Sequence, residues 1–293
     1  MSTSIKDIVV GRKTFFITPD TSLIPEDYLE EYFSLGYECY FINNDKLLSL
    51  DKKIDILISL FKDIILFFNI DYNVVGIDWP KFIKEIQKKY ENKVLIGILY
   101  NKRQSKDEKA QLEHLYLMEM GCQCGCIQIE YKKANNFEII QKILFANQAQ
   151  GRRKNIRAIC TKACTFSFKK DELTFTGHLQ DVSMSHFSFI LPANELELAD
   201  YEKIKEIQFS LRGFLFTSSA VLIMKRNTDK GFLYVFAFTS EVGGGLDDRS
   251  KQLLTPVIYQ LMEFNCRNLL EDVFYKHAKQ NLSIEEIENI YSH

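Results

Sequence analysis

The sequence QAQGRRKNIRAICTKACTFSF, residues 148–168, lies where the hydrophobic pattern of the chain changes. Before it, segments with apolar residues at helical spacing alternate with short apolar runs. From residue 156 onward, polar and apolar residues alternate, which indicates half-buried β-strands because successive strand side chains point to opposite faces. We therefore predict two domains, residues 13–147 and 148–293, with a linker at 148–157.

Upstream of this boundary, an apolar run followed by an amphipathic segment occurs five times. The predicted strands are 14–18, 37–42, 63–70, 93–100 and 122–131, and the predicted helices are 25–35, 49–61, 79–90, 106–120 and 135–150. The run DIILFFNI at 63–70 has the pattern of a central strand covered on both faces. Ser49 is expected to cap the second helix. The repeat predicts a doubly wound (βα)5 parallel sheet.

This repeat resembles the receiver domain of response regulators over about residues 13–150. A phosphorylatable receiver needs acidic residues after the first strand and an Asp ending the third, with Ser or Thr after the fourth and Lys after the fifth. Here the corresponding positions hold Thr18-Pro19-Asp20, Asn69, Asn101 and Lys132, and Asp71 lies beyond the third strand. One carboxylate does not both hold Mg²⁺ and present an acceptor. We expect a receiver-like scaffold without phosphotransfer.

The run GCQCGC holds Cys122, Cys124 and Cys126, three of seven cysteines. We place them on the predicted fifth strand, where alternate residues share one face and cannot surround a tetrahedral ion. Small buried thiols are therefore expected, and no metal site. Unpaired thiols without an export signal indicate a reducing cytoplasm.

The second half of the chain predicts a six-stranded antiparallel barrel at residues 156–241. Its strands are expected at 156–168, 172–183, 187–191, 204–211, 214–226 and 231–241, separated by turn-forming residues. C-terminal helices are expected within 247–291, the first capped by Asp247 or Asp248 and kinked at Pro256. The second opens with a capping box, Ser283 and Glu286.

Two short motifs carry the candidate chemistry. The linker contains Arg153-x-x-x-Arg157 with Arg152 adjacent, and the predicted barrel contains Asp181-x-Ser183-x-x-His186. Together they resemble the signature of the PilZ domain, RxxxR followed across the first hairpin by [D/N]xSxxG, and the resemblance covers about residues 150–265. His186 replaces the glycine of that pattern. Histidine is one of the residues enriched at positive φ, which would preserve a turn that needs it.

The resemblance implies a bacterial receptor for cyclic di-GMP, which has two phosphate charges and two guanines. The guanidinium groups suit phosphate oxygens and the O6/N7 edge of guanine, Asp181 can accept from guanine N1–H and N2–H₂, and Ser183 can add a hydroxyl contact. In this family, an arginine at the position of Arg152 is associated with a stacked pair of ligand molecules. Binding would draw the linker onto the barrel and reorient the domains.

Composition limits the other functional classes. The net charge is −2, so the overall charge argues neither for nor against a polyanionic partner, and any such site must rest on a local cluster of Arg or Lys. We expect no nucleic-acid partner. No apolar run reaches the roughly 20 residues of a membrane helix. We predict a cytoplasmic protein without cofactor or catalytic site. Two alternatives stay open: a phosphorylation-controlled response regulator, and a ligand-blind PilZ interaction module. A downstream protein partner is expected, and the oligomeric state is left open.

Overall fold

The computed structural model describes most of the chain: residues 12–17, 26–44, 47–61, 63–91, 93–101, 105–130, 133–150, 155–192, 196–240 and 243–291, without the side chains of residues 26, 27 and 133. It divides into two compact units. The first comprises Met1–Lys154 together with Asn268–His293, and the second is Asn155–Arg267.

The first unit contains a five-stranded parallel sheet, as predicted. Its strands are β1 Thr14–Ile17, β2 Cys39–Ile42, β3 Ile64–Asn69, β4 Val94–Asn101 and β5 Cys126–Ile129, in the spatial order β2-β1-β3-β4-β5. Every residue of β3 is buried, which agrees with its apolar run and its central place in the sheet. Apolar side chains of the intervening helices, such as Ile54, Leu57 and Ile83, are buried together with the strands in the core of the unit.

The helices between these strands follow the predicted order. They are α1 Glu26–Ser34, α2 Leu50–Leu60, α3 Trp79–Lys89, α4 Lys106–Glu113, which continues as a π-helix at His114–Glu119, and α5 Lys133–Ala146. Ser49 occupies the N-cap of α2, as predicted, but its side chain makes no capping hydrogen bond. Ser105 and Glu108 form a capping box at α4.

The predicted fifth strand is too long. β5 begins at Cys126, while Cys122 and Cys124 lie in the turn before it, where the Gly125 N–H donates to the Cys122 carbonyl over 3.1 Å. Gly125 has φ +82°, a left-handed value that ends an extended run and that glycine adopts easily. Cys122 and Cys124 are buried, as expected, and burial raises the pKa of each thiol to about 12.

The second unit contains a closed antiparallel barrel of six strands, again as predicted. These are β7 Cys164–Lys170, β8 Leu173–Val182, β9 His186–Leu191, β10 Lys203–Leu211, β11 Phe214–Thr228 and β12 Gly231–Thr239. They pair in the order β8-β7-β10-β11-β12-β9, and a β8–β9 pairing closes the barrel. Phenylalanines fill the interior; Phe187 stacks on Phe236 with ring centroids 5.3 Å apart.

The first predicted barrel strand, 156–168, is broken in two. Ala158–Ile159 forms a short strand, β6, that pairs with Val182 and Asp181 at one end of β8, whereas β7 pairs with the other end. Residues 161–163 form a turn between them, in which the Cys164 N–H donates to the Thr161 carbonyl over 3.0 Å. The alternating pattern did not reveal this interruption, because it continues on both sides.

Two helices follow the barrel, α6 Asp248–Gln280 and α7 Ile284–Tyr291, and α6 runs through Pro256. Asp247 caps α6 by accepting from the Ser250 N–H, and the predicted Ser283–Glu286 capping box is present at α7. We expected both helices to belong to the barrel domain, but residues from 268 onward group with the α/β unit. Helix α7 contacts α2 of that unit: Ser59 Oγ donates to Glu288 Oε1, and Ile287 and Tyr291 are buried.

Candidate ligand-binding site

The barrel register brings the motif residues to one region of the outer wall. Val182 on β8 pairs with Phe187 on β9, and both side chains are buried in the interior. Because strand side chains alternate, Asp181 and His186, which flank this pair, face outward. Ala158 pairs with Val182, so the preceding Arg157 comes to the same outer region. Residues from both motifs therefore converge here.

Arg157 and Asp181 form a long ion pair on this wall. Arg157 Nη1 lies 3.8 Å from Asp181 Oδ2, and the two side chains are 30% and 21% exposed. The other carboxylate oxygen, Oδ1, is buried and has no hydrogen-bond partner among the described residues. The carboxylate thus has an unused acceptor next to a cation, an arrangement suited to a ligand with N–H donors and negative charge.

Ser183 lies just beyond the end of β8, but its hydroxyl is not at the surface. The residue is 1% exposed, and Oγ donates to the His186 carbonyl over 3.1 Å and accepts from the His186 N–H over 3.0 Å. These bonds hold the turn between β8 and β9. The sequence predicted a hydroxyl available to the ligand, whereas in this conformation the hydroxyl shapes the turn.

His186 does not need the left-handed conformation that the family glycine permits. It is the first residue of β9, pairs with Ala237, and has no positive φ. Its Nδ1 lies 2.7 Å from Ser185 Oγ. Burial, followed by the positive charge of Arg157, lowers the pKa of His186 below its usual value. The replacement of glycine is therefore accommodated by an ordinary strand residue beside the arginine.

The remaining predicted site residues, Arg152 and Arg153, lie outside the described residues, as do Thr18, Pro19, Asp20 and Lys132 of the receiver comparison. Of the receiver positions within the described residues, Asn69 is buried at the end of β3. Asp71 accepts the backbone N–H of Asn101.

One further polar residue lies beside the motif and was missed by sequence reasoning. Ser188 on β9 is directly opposite Asp181 on β8, is 1% exposed, and its Oγ has no hydrogen-bond partner among the described residues. A signal was present in the sequence HFSFIL, where a serine interrupts a run of large apolar residues at an outward-facing position. Its pairing with Asp181 depends on strand register, which the sequence alone did not provide.

The thiol of Cys160 adjoins the site and is hydrogen-bonded to the thiol of Cys164. The Cys160 N–H donates to the Gln180 carbonyl over 2.9 Å, next to Asp181. A hydrogen bond with Cys160 lowers the pKa of the Cys164 thiol to about 6, and the same bond raises the pKa of Cys160. Over the described parts of the chain, no group of three or more His, Cys, Asp or Glu side chains is arranged to hold a metal ion. No helix in those parts is long and apolar enough to cross a membrane.

Comparisons with known proteins return distant structural similarities. No protein-family model and no curated protein matches the chain. The crystal structure of YcgR in complex with c-di-GMP from Escherichia coli is 20% identical over 42% of this chain and 51% of that one, with a TM-score of 0.35. The PilZ domain of YcgR with c-di-GMP is 20% identical over 40% of this chain and 95% of that one, with a TM-score of 0.32.

A Bacillus subtilis inhibitor of motility, MotI/DgrA, is 15% identical over 41% of this chain and 52% of that one, with a TM-score of 0.30. The matched part of this chain thus spans about half the length of YcgR and of MotI/DgrA. At these identities and TM-scores, the similarities do not by themselves assign a ligand or a family to the chain.

Proposed function

We propose that this chain is a PilZ-type receptor for cyclic di-GMP rather than an enzyme, and that the ligand binds on the outer barrel wall at Arg157 and Asp181. The observation that carries the proposal is the buried, unpartnered Oδ1 of Asp181 beside the partly exposed guanidinium of Arg157. A carboxylate oxygen without a partner is unfavourable in the free protein. A ligand that donates hydrogen bonds to it and brings anionic oxygens to Arg157 satisfies both groups.

Cyclic di-GMP has the required groups. Guanine presents N1–H and N2–H₂ to a carboxylate, and the phosphate oxygens accept from guanidinium groups in a planar, charge-assisted geometry. Arg152 and Arg153 precede Arg157 in the linker, and three arginines supply enough positive charge for two phosphates. The two motifs, RxxxR and DxSxxH, occur in the expected order on a six-stranded antiparallel barrel.

Calorimetric titration of the full chain with cyclic di-GMP tests this site. We expect saturable binding, and a loss of at least tenfold in affinity for Arg153→Ala and for Arg157→Ala, because each removes charged hydrogen bonds of about 1.5–3 kcal/mol. Arg226→Ala is the matched control: Arg226 is an exposed arginine on β11, and its removal should leave affinity unchanged.

A second nucleotide separates base recognition from charge attraction. Cyclic di-AMP has the same phosphates but lacks the N1–H and N2–H₂ donors, so it should bind much more weakly. No heat with cyclic di-GMP at tens of micromolar would contradict the proposal and favour a ligand-blind interaction module. Equal binding of both nucleotides would show that Asp181 does not recognise the base.

The stoichiometry of the same titration reports on Arg152. If Arg152 supports a stacked pair of ligand molecules, the wild-type chain binds two cyclic di-GMP and Arg152→Ala binds one. A stoichiometry of one for both proteins would remove Arg152 from the site.

Ligand capture is also proposed to rearrange the two units, because the arginines belong to the segment, residues 148–157, that connects them. Small-angle X-ray scattering should show a change in the distance distribution when cyclic di-GMP is added. The Arg157→Ala variant should show no such change at the same ligand concentration. Unchanged scattering of the wild-type chain at saturation would confine the effect of the ligand to the barrel.

The α/β unit is proposed to be a receiver-like scaffold without phosphotransfer. The strand order β2-β1-β3-β4-β5 supports this, as does Asn69, an amide, at the end of β3 where a phosphorylatable receiver has its acceptor. Asp71 already accepts the Asn101 N–H. Incubation with acetyl phosphate followed by intact mass spectrometry should give no phosphorylated species. A stable adduct on Asp71 or Asp20 would favour a phosphorylation-controlled regulator instead.

A further inference from the structure

We propose that Ser188 is an additional ligand-binding residue that helps to select guanine, an inference that rests on the proposed function of this site. Asp181 on β8 and Ser188 on β9 are directly paired in the sheet register. Directly opposed residues of an antiparallel pair project from the same face, with Cβ atoms roughly 4.5–5.5 Å apart. The hydroxyl therefore lies beside the carboxylate to which the base is assigned.

The burial of the residues next to Ser188 on β9 determines its orientation. Phe187 and Phe189, on either side of it, are fully buried in the aromatic interior of the barrel. Alternation then directs Ser188 to the outer wall. On the opposite side of β9, Ser188 pairs with Val235 of β12, whose neighbour Phe236 also lies in the interior. Ser188 thus lies between a carboxylate and an apolar side chain, both on the outside of the barrel.

The hydroxyl of Ser188 is buried without a hydrogen-bond partner among the described residues. The residue is 1% exposed, and Asp181 Oδ1 likewise has no hydrogen-bond partner in the described parts of the chain. Two buried, unpartnered oxygens on opposed residues are uncommon, because most buried polar atoms are hydrogen-bonded. Ordinary strand packing does not explain a serine here, since an alanine would fill the position without an unsatisfied hydroxyl.

The chemistry of guanine accounts for both groups. Along one edge, guanine presents the O6 acceptor next to the N1–H and N2–H₂ donors. A carboxylate can accept only from the two donors, so O6 needs a donor from another residue. The Ser188 hydroxyl supplies such a donor beside Asp181. Adenine has an amino group in place of O6, and the pair would therefore favour guanine.

Access to Ser188 requires that the side chains shielding it move when the ligand arrives. On the paired strand, the Arg157–Asp181 ion pair can separate to admit a ligand, because 3.8 Å is longer than a hydrogen bond and both side chains are partly exposed. Ion pairs of this kind contribute little to stability, so little free energy is needed to separate them.

The test uses the full chain with two substitutions at this position and one matched control. Ser188→Ala removes the hydroxyl, and Ser188→Cys keeps nearly the same shape while offering only a weak donor. Ser210→Ala removes a partly buried hydroxyl from β10, which is not adjacent to β8 or β9. Each protein is melted without ligand and titrated with cyclic di-GMP, beside Arg157→Ala as a reference for loss of the site.

We expect Ser188→Ala and Ser188→Cys to melt at or above the wild-type temperature without ligand, yet to bind cyclic di-GMP five- to tenfold more weakly; Ser210→Ala should bind like wild type. If both Ser188 variants bind like wild type while Arg157→Ala is weakened, Ser188 is not in the site and the proposed function stands. If both melt well below wild type, its hydroxyl is structural and the inference is wrong. If the wild-type chain does not bind, the proposed function fails and this inference fails with it.

Discussion

Arg157 and Asp181 are 24 residues apart in sequence, yet Arg157 Nη1 lies 3.8 Å from Asp181 Oδ2 on the outer wall of the barrel. The short strand β6 brings them together by pairing Ile159 with Asp181. Their separation is too long for a hydrogen bond, and both side chains keep some contact with solvent. The pair is therefore better suited to open around a ligand than to stabilise the fold.

Asp181→Asn should separate binding from stability. The amide still accepts one hydrogen bond, but its NH₂ group opposes a donor of guanine, so we expect affinity for cyclic di-GMP to fall about 10- to 100-fold, or roughly 1.4–2.8 kcal/mol. The free energy of unfolding should change by less than about 1 kcal/mol, because the ion pair is long and partly exposed. Calorimetry and urea denaturation measure the two effects, and undiminished affinity would contradict the assigned role.

Ser183→Ala should act mainly on stability. The substitution removes the hydroxyl that accepts the His186 N–H, and Ser183 is buried in this turn. Loss of such a bond reduces the free energy of unfolding by about 1–3 kcal/mol. Thermal melting measures this against Ser210→Ala, which removes a partly buried hydroxyl from β10 and should keep the free energy of unfolding within about 0.5 kcal/mol of wild type. An unchanged melting temperature for Ser183→Ala would show that the turn does not depend on the hydroxyl.

His186 should make stability depend on pH. Burial and the charge of Arg157 lower its pKa in the folded chain, so the unfolded chain binds more protons between that lowered pKa and the ordinary value of about 6.5. The contribution of His186 is present above pH 6.5 and is lost as the pH falls through the folded pKa. Urea denaturation measures the free energy of unfolding at pH 7.5 and at pH 5.5. The difference between these two values should be smaller for His186→Gln than for wild type. An equal difference would mean that other groups cause the pH dependence.

Lys13→Met tests the buried ion pair of the α/β unit. Lys13 and Glu38 are 1% and 5% exposed and form an ion pair, and the Tyr40 hydroxyl also donates to Glu38. Removing the lysine leaves a buried carboxylate without its cation, which should destabilise the fold by about 3–5 kcal/mol.

The matched control for that substitution is Lys89→Met, which removes an ion pair with Asp55 in which the lysine is 56% exposed. The free energy of unfolding of this variant should stay within about 1 kcal/mol of the wild-type value. If urea denaturation shows the same loss of unfolding free energy for the two variants, burial does not determine how much the Lys13–Glu38 pair stabilises the fold.

Part of this fold could be predicted because local patterns and packing agree. The apolar run of β3 predicts a central strand, and all its residues are buried. The one-by-one alternation after residue 156 predicts the barrel, and the paired phenylalanines of β9 and β12 form its interior. Ser283 and Glu286 predict a helix start that the capping box confirms. In each case the type of element follows from the local order of polar and apolar residues, and the burial in the folded chain agrees with it.

Other features depended on contacts between distant segments. Gly125, with its left-handed φ, ends the run that resembled a longer fifth strand. The interruption at 161–163 also involves the β10–β11 turn, where the Arg212 N–H donates to the Ala163 carbonyl over 3.1 Å. Residues from 268 onward group with the α/β unit, although they follow the barrel in sequence. Such contacts leave no periodic signal in the chain.

The amino-acid sequence alone determined the two architectures and the two motifs, because side-chain periodicity and residue spacing are local properties. Tertiary structure decided how the motif residues are used. The register of β8 and β9 pairs Asp181 with Ser188, and the turn after β8 draws the Ser183 hydroxyl inward. Register is set by packing across the whole barrel, since a slip of one residue would turn every side chain to the other face.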